Sequence, residues 1–521
     1  MKKNFVLPES WSVILNNTKG SLPNSSGLCD QVLAWTELTP DKTAIVCSDA
    51  KLSYAQLREC VAAMVGVFRQ QGLEKRRIAL HYKNSIELVV AALAAARLEV
   101  TLIPINVALR PAQLAKQLEV VCADAVVTSA SGARIVQRIA SAVHSIVMPS
   151  LDDMLNVDCL DDLAALGEVS TAHDFIITLS SGSTGNPKPI VLSQQVKIDR
   201  AAQAAQSYDV TSEDVILCAS PFYHSLGQRL CFVPLLYGAT LVLLEHFTVD
   251  AWLDGVRDQG VSFTIAVSSH LQALRQSLFD ETEGLQSLRC LVTSSAAMDY
   301  GLKLQLMQRL GCEFHEMYGA TEVATATNLF PSCPQEKSES VGKPLPSISI
   351  RILGDDKASL EVGEVGEIAC RSPLVFSGYD QRTELTEASF HDGYFLTGDL
   401  GYLDAQGYLY FVSRKKDIII SGGVNIVPGD IESALLTHDG LADCCVIATR
   451  DDYLGEVVLA VCVLLDDAVT EIDLKLHVNK HLAGYQHPKH YVFLDEIPLT
   501  PSGKPDKQKL RADYGDLGQG R

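Results

Sequence analysis

Phe175 to Ile190 reads FIITLSSGSTGNPKPI. An apolar, β-branched run passes at once into hydroxyls and glycines, Ser180-Ser181-Gly182-Ser183-Thr184-Gly185, and Lys188 follows beside Pro187. This is a strand delivering a loop. Small residues let backbone N–H groups turn inward on a polyphosphate, the hydroxyls of Ser180, Ser181, Ser183 and Thr184 add donors, and Lys188 adds charge. The loop is not a Walker A motif, because G-x-x-x-x-G-K-[ST] is absent. Read alone, a Ser/Gly-rich stretch also describes a linker. Its meaning rests on its surroundings.

Upstream, strand-like and helical patterns alternate: AIVCS, the helix AQLRECVAAMVGVFRQQG, a strand at Arg77 to His81, a helix at Ser85 to Arg97, a strand at Val100 to Pro104, AVVTS, a helix around Arg134 to Val143, and SIVMP. Downstream, VILCA, TLVLL, FTIAV and CLVTS recur at nearly regular spacing. Such alternation predicts parallel sheets covered by helices. From about residue 340 to 413 short β segments with glycine and charged turns predict a smaller β-rich, barrel-like unit. Strand, helix and strand return after Lys415. The expected fold is α/β: a large N-terminal part, residues 1–413, and a small mobile α+β domain, residues 414–521, with the charged SRKKD segment between them.

Composition narrows the class. The chain has 521 residues, 47% hydrophobic, and 43 Lys+Arg against 63 Asp+Glu give a formal net charge of -20. That field disfavours nucleic acid and anionic membrane as partners. None of the 14 cysteines shows C-x-x-C spacing, and most lie in apolar stretches, so reduced buried thiols are expected. Pro8 and Glu9 interrupt the N-terminus before a signal-length apolar run, and Leu88 to Ala96 is about half a membrane span. A cytoplasmic protein without stable membrane insertion is expected.

Three further signals follow the loop in order. Tyr318-Gly319-Ala320-Thr321-Glu322 comes after the strand-like CEFHEM; Thr397-Gly398-Asp399 and Arg414 come next; Pro501-Ser502-Gly503-Lys504 sets a lysine on what reads as an exposed turn. In this order and spacing they resemble the adenylate-forming superfamily of acyl-CoA and aryl-CoA synthetases, from about Leu28 to Lys509. The resemblance implies the following roles. Ser180 to Lys188 would hold the β- and γ-phosphates of ATP, Tyr318 would stack on adenine with Ser295-Ala296-Ala297 beside it, and Thr321 would contact the α-phosphate and the acid. Glu322 would bind Mg²⁺, Asp399 and Arg414 the ribose, and Lys504 would bridge carboxylate and α-phosphate. Lys416 matches the hinge of a rotating C-terminal domain. In Pro221 to Gly227, PFYHSLG, His224 would flank the acid and the thiol path, and Gly422 and Gly423 would let a pantetheine arm pass. Two departures stand out: Ser295-Ala296-Ala297-Met298 where many relatives read G-A-P-L, and Val424 where an acidic residue is common.

Elementary chemistry agrees. Attack of a carboxylate on an α-phosphate brings two anions together, so Mg²⁺ and an ammonium are what the transition state needs. The expected enzyme is an AMP-forming acid–thiol ligase that makes acyl-AMP and pyrophosphate, then a thioester of CoA. The alternatives are loading of a carrier-protein phosphopantetheine and, in another class, a catalytically silent nucleotide-binding protein. The residues near the expected pocket, Phe222, His224, Val267 and Ser268 among them, predict an aromatic or medium aliphatic acid. No aspartate stands there to pair with an ammonium, so the acid is expected to lack an α-amino group.

Overall fold

The computed structural model describes residues 27–157, 159–160, 163, 166–180, 187–280, 284–294, 298, 300–466, 468–500 and 504–517. Apolar runs become buried strands, except at the sheet edge His144–Val147, where only Ile146 is buried. Arg77–His81, Thr101–Pro104, Ala125–Thr128, His144–Val147 and Asp174–Ser180 pair in parallel, and Lys188–Ser193 and Gly378–Tyr379 extend the sheet antiparallel to seven strands. A second sheet has nine strands; Thr43–Cys47, Thr240–Leu243, Val215–Cys218, Phe263–Val267, Cys290–Ser294 and Glu313–Ala320 form its parallel part. Strands buried on both faces need such continuous Val, Ile and Leu runs.

The helices follow local rules. Ser53 caps Tyr54–Gln70 in a capping box with Gln56, and Ser85 caps Ile86–Arg97, of which only Glu87 and Arg97 escape full burial. These two helices pack together between the sheets' shared core. The helix expected from Arg134 to Val143 lies earlier, at Ala130–Ile139, because the Ser129 hydroxyl accepts from Gly132 N and fixes its start.

The β-rich segment forms a five-stranded antiparallel sheet in which Tyr394–Leu403 pairs with Gly366–Arg371, Phe390–His391 and Leu409–Arg414. The last sheet is built on the long pair Leu441–Asp451 and Gly455–Leu464, with Ile419–Ser421, Val424–Ile426 and His490–Phe493 around it. Its cores, around Ile431, Val446 and Ala460 on one face and Ile447, Leu459 and Leu510 on the other, are separate from the larger ones. All 14 cysteines are free; Cys122 is exposed, Cys159, Cys312 and Cys333 are half-buried and the rest are buried. Among the described residues no helix is long and apolar enough to cross a membrane.

Candidate active site

Parallel strands end together, and in such sheets the loops at their C-terminal ends gather ligand groups. The Glu313–Ala320 strand turns back into Ala324–Leu329, carrying Thr321 and Glu322 on the bend. Gly319 is required there, because a Cβ would run into the Ala324 carbonyl oxygen. Arg200, from the Gln194–Ser207 helix of the other sheet, holds the bend: its guanidinium donates to Thr321 O at 2.8 Å, Glu322 O at 3.2 Å and Leu374 O at 2.7 Å. Phe376 N also donates to Glu322 O, at 2.7 Å. Arg200 is a residue the sequence reading missed.

Glu322 therefore has its backbone fixed and its side chain directed. Tyr379 donates its hydroxyl to Glu322 Oε1 at 2.9 Å, and the Lys188 ammonium lies 5.2 Å from the centre of the Tyr379 ring. The two predicted phosphate-side groups, Lys188 and Glu322, thus share one aromatic neighbour. Tyr379 is a second missed residue. The three-ligand cluster found among the described residues, Cys290, Glu313 and His315, sits at the opposite ends of the strands. A single carboxylate at Glu322 suits Mg²⁺, which keeps waters and takes its remaining ligands from substrate phosphates.

The residues expected on the ribose side also meet. Asp399 lies opposite Arg414 across paired strands, with Arg414 Nε 3.2 Å from Asp399 Oδ1, and Tyr318 donates its hydroxyl to Asp399 Oδ2 at 2.9 Å. Burial raises the Asp399 carboxyl above the usual aspartate range, and Arg414 opposes the shift. Lys504 approaches from the C-terminal sheet's side, close enough that its charge acts on Asp399. It is not the exposed turn lysine of the sequence reading. It is half-buried, its peptide N–H donates to Thr500 Oγ1 at 3.2 Å, and burial, ahead of repulsion from Arg414, brings its ammonium down to about 8.

His224 precedes the Ser225–Leu236 helix, its ring 4.5 Å from that of Tyr223. Asn84 fixes the loop, accepting from Phe222 N at 2.9 Å and donating to Ser220 O at 3.1 Å. Lys416 lies in the 3₁₀ turn Lys415–Asp417, directly between the β-rich sheet and the last sheet. Gly422 and Gly423, at φ 55° and 85°, form the two-residue turn of a hairpin and are exposed, with open space around Gly423. Ser181 to Gly185 and Ser295 to Ala297 lie outside the described residues.

The profile of AMP-binding enzymes matches residues 33–380, and that of the AMP-binding enzyme C-terminal domain matches residues 430–504. The chain is 32% identical to an indoleacetate–CoA ligase of Aromatoleum aromaticum over 490 residues, covering 91% of this chain and 95% of the relative. It is 32% identical to a 2-succinylbenzoate–CoA ligase of Bacillus licheniformis over 483 residues, covering 91% and 97%. Among solved structures it resembles ATP-bound MatB from Rhodopseudomonas palustris, with a TM-score of 0.87 at 27% identity over 95% and 99% of the two chains. It also resembles o-succinylbenzoate CoA synthetase from Bacillus subtilis with its acyl-adenylate intermediate, with a TM-score of 0.83 at 29% identity over 92% and 97%.

Proposed function

Because the chain belongs to the AMP-binding enzyme family, we propose that it activates a carboxylic acid with ATP and passes the acyl group to the thiol of CoA. A carboxylate oxygen attacks the α-phosphorus, the bond to the pyrophosphate oxygen breaks, and pyrophosphate leaves with the electron pair. The thiol then attacks the acyl carbon, AMP leaves, and the thiol proton passes to solvent. The acid is a carboxylate without an α-amino group, aromatic or medium aliphatic in its body. The enzyme works in the cytoplasm, in keeping with its free thiols.

One observation carries this reading: the Lys504 ammonium, from the far end of the chain, comes within electrostatic reach of the Asp399–Arg414 pair. On this reading Tyr318, Asp399 and Arg414 hold the nucleoside, Lys188 and the Ser180 to Gly185 loop hold the outer phosphates, and Thr321 faces the α-phosphate and the acid. When bound, Mg²⁺ offsets phosphate charge, and Glu322, oriented by Tyr379, would hold it. His224 borders the acid. Lys416 serves as the hinge and Gly422–Gly423 as the rim of the thiol path. Residues 1–413 and 414–521 then act as two domains.

The test is pyrophosphate exchange across a panel of carboxylic acids, followed by AMP release with free CoA or with carrier proteins. Exchange with at least one acid and release on adding CoA are expected. Release with carrier proteins alone would reassign the acceptor, and no exchange with any acid would overturn the activity.

A further inference from the structure

The Gln194–Ser207 and Ser225–Leu236 helices pack together and enclose a cavity of about 10 Å³ lined by Lys197, Arg200, Ala201, Ser225, Arg229 and Phe232. Three of the six are cations. Lys197 and Arg200 are 4% and 3% exposed. The Lys197 ammonium donates to Gln228 Oε1 at 3.0 Å and lies 5.6 Å from the Phe232 ring centre. Arg200 gives its hydrogen bonds to the backbone carbonyls of Thr321, Glu322 and Leu374. Arg229 donates to Thr325 Oγ1 at 2.8 Å and lies 3.3 Å from the Met317 sulfur.

No carboxylate of the described residues pairs with any of the three; Glu322 acts on Arg200 at longer range. Burial, and then mutual repulsion, pulls the Lys197 ammonium well below its ordinary value and Arg200 to about 9. Buried cations without an acidic partner are costly, and the cost is relieved when an anion arrives. Arg229 is the member that stays partly exposed, and Ser225 follows His224 directly. The cavity wall thus adjoins the place assigned to the acid through Ser225, beside His224, and through Arg200, which holds the Thr321–Glu322 bend. The room suits one oxygen-sized group, so an anion enters end-on, and the free edge of an Arg229 guanidinium matches a carboxylate.

We propose that the acid substrate carries a second carboxylate, whose outer oxygen enters this cavity among Lys197, Arg200 and Arg229 while the reacting carboxylate lies toward Thr321. The proposal rests on the acid-activating reading above. It makes Arg229, five residues after His224, the chief determinant of specificity.

The experiment titrates the chain, held with a non-hydrolysable ATP analogue, with succinate, glutarate, adipate and phthalate and with the monomethyl ester of each. The readout is calorimetry, and the same compounds are run in pyrophosphate exchange. At least one diacid is expected to bind about tenfold or more tightly than its ester. Arg229→Met and Lys197→Met should each erase most of that difference, and Arg229→Lys, which keeps the charge, should retain much of it. If no diacid exceeds its ester, or if folded Arg229→Met keeps the preference, the proposal is wrong. Stabilisation by chloride over acetate without a diacid preference would give the cavity to an inorganic anion and overturn it equally. Exchange with esters but no diacid preference removes only the second carboxylate; no exchange with any acid removes the activation reading, and calorimetry still decides the cavity.

Discussion

Lys504 is the side chain whose ionisation and role are most tightly joined. Its burial holds the ammonium at about 8, and in the proposed role the ammonium is the form that offsets the meeting of carboxylate and phosphate. That form is full below the pKa and is lost as pH rises through it. In kcat/KM, which reports the free enzyme, adenylation should therefore fall above about pH 8, and Lys504→Arg should move the fall to higher pH. A profile that stays flat to pH 10 would contradict this. Glu322 offers a second test. Tyr379→Phe removes a hydrogen bond to its carboxylate, worth about 1 to 2 kcal/mol. The Mg²⁺ concentration for half-maximal exchange should rise roughly five- to thirtyfold, and an unchanged Mg²⁺ titration would remove Tyr379 from the site.

Two elements carry the expected motion and its limits. The 3₁₀ turn Lys415–Asp417 joins the Leu409–Arg414 strand of one sheet to the Ile419–Ser421 strand of another. Proline at Lys416 fixes φ and restricts Lys415 as well. Lys416→Pro should keep acyl-AMP formation and lose most thioester formation; equal loss of both would put the hinge elsewhere. The Gly422–Gly423 turn asks for a different test. Both residues have positive φ and Gly423 faces open space, so a side chain there first strains the turn. Gly423→Ala should cost about 1 to 2 kcal/mol locally. Amide exchange at Val424, which pairs with Ser421 beside the turn, should then speed up roughly five- to thirtyfold. Unchanged exchange would show that the turn tolerates the side chain.

At the scale of the whole molecule, the sheets were legible because most of the parallel strands are apolar runs, and Arg77–His81 has the bounds its sequence predicts. The motif residues were legible because hydroxyl, glycine and charged residues interrupt those runs where strands end. Lys197, Arg200 and Arg229 were not. A basic residue at helical spacing reads as a solvated face, and only the packing of two successive helices against each other buries these three. Lys504 was misread as exposed for the same reason, since it is half-buried beside groups about 100 residues away in the chain, and the charges of Asp399 and Arg414 act on it. The central claim is that this distant lysine serves adenylation and not thiol transfer. The direct measurement is both half-reactions on one preparation of Lys504→Ala, with folding checked by circular dichroism. Losing a positioned transition-state donor typically costs about 3 to 4 kcal/mol. ATP-dependent acyl-AMP formation should therefore fall roughly 10² to 10³-fold or more. Thioester formation from supplied acyl-AMP should stay within about tenfold of the unsubstituted enzyme. Normal adenylation by folded Lys504→Ala, or equal loss of both half-reactions, would contradict the account.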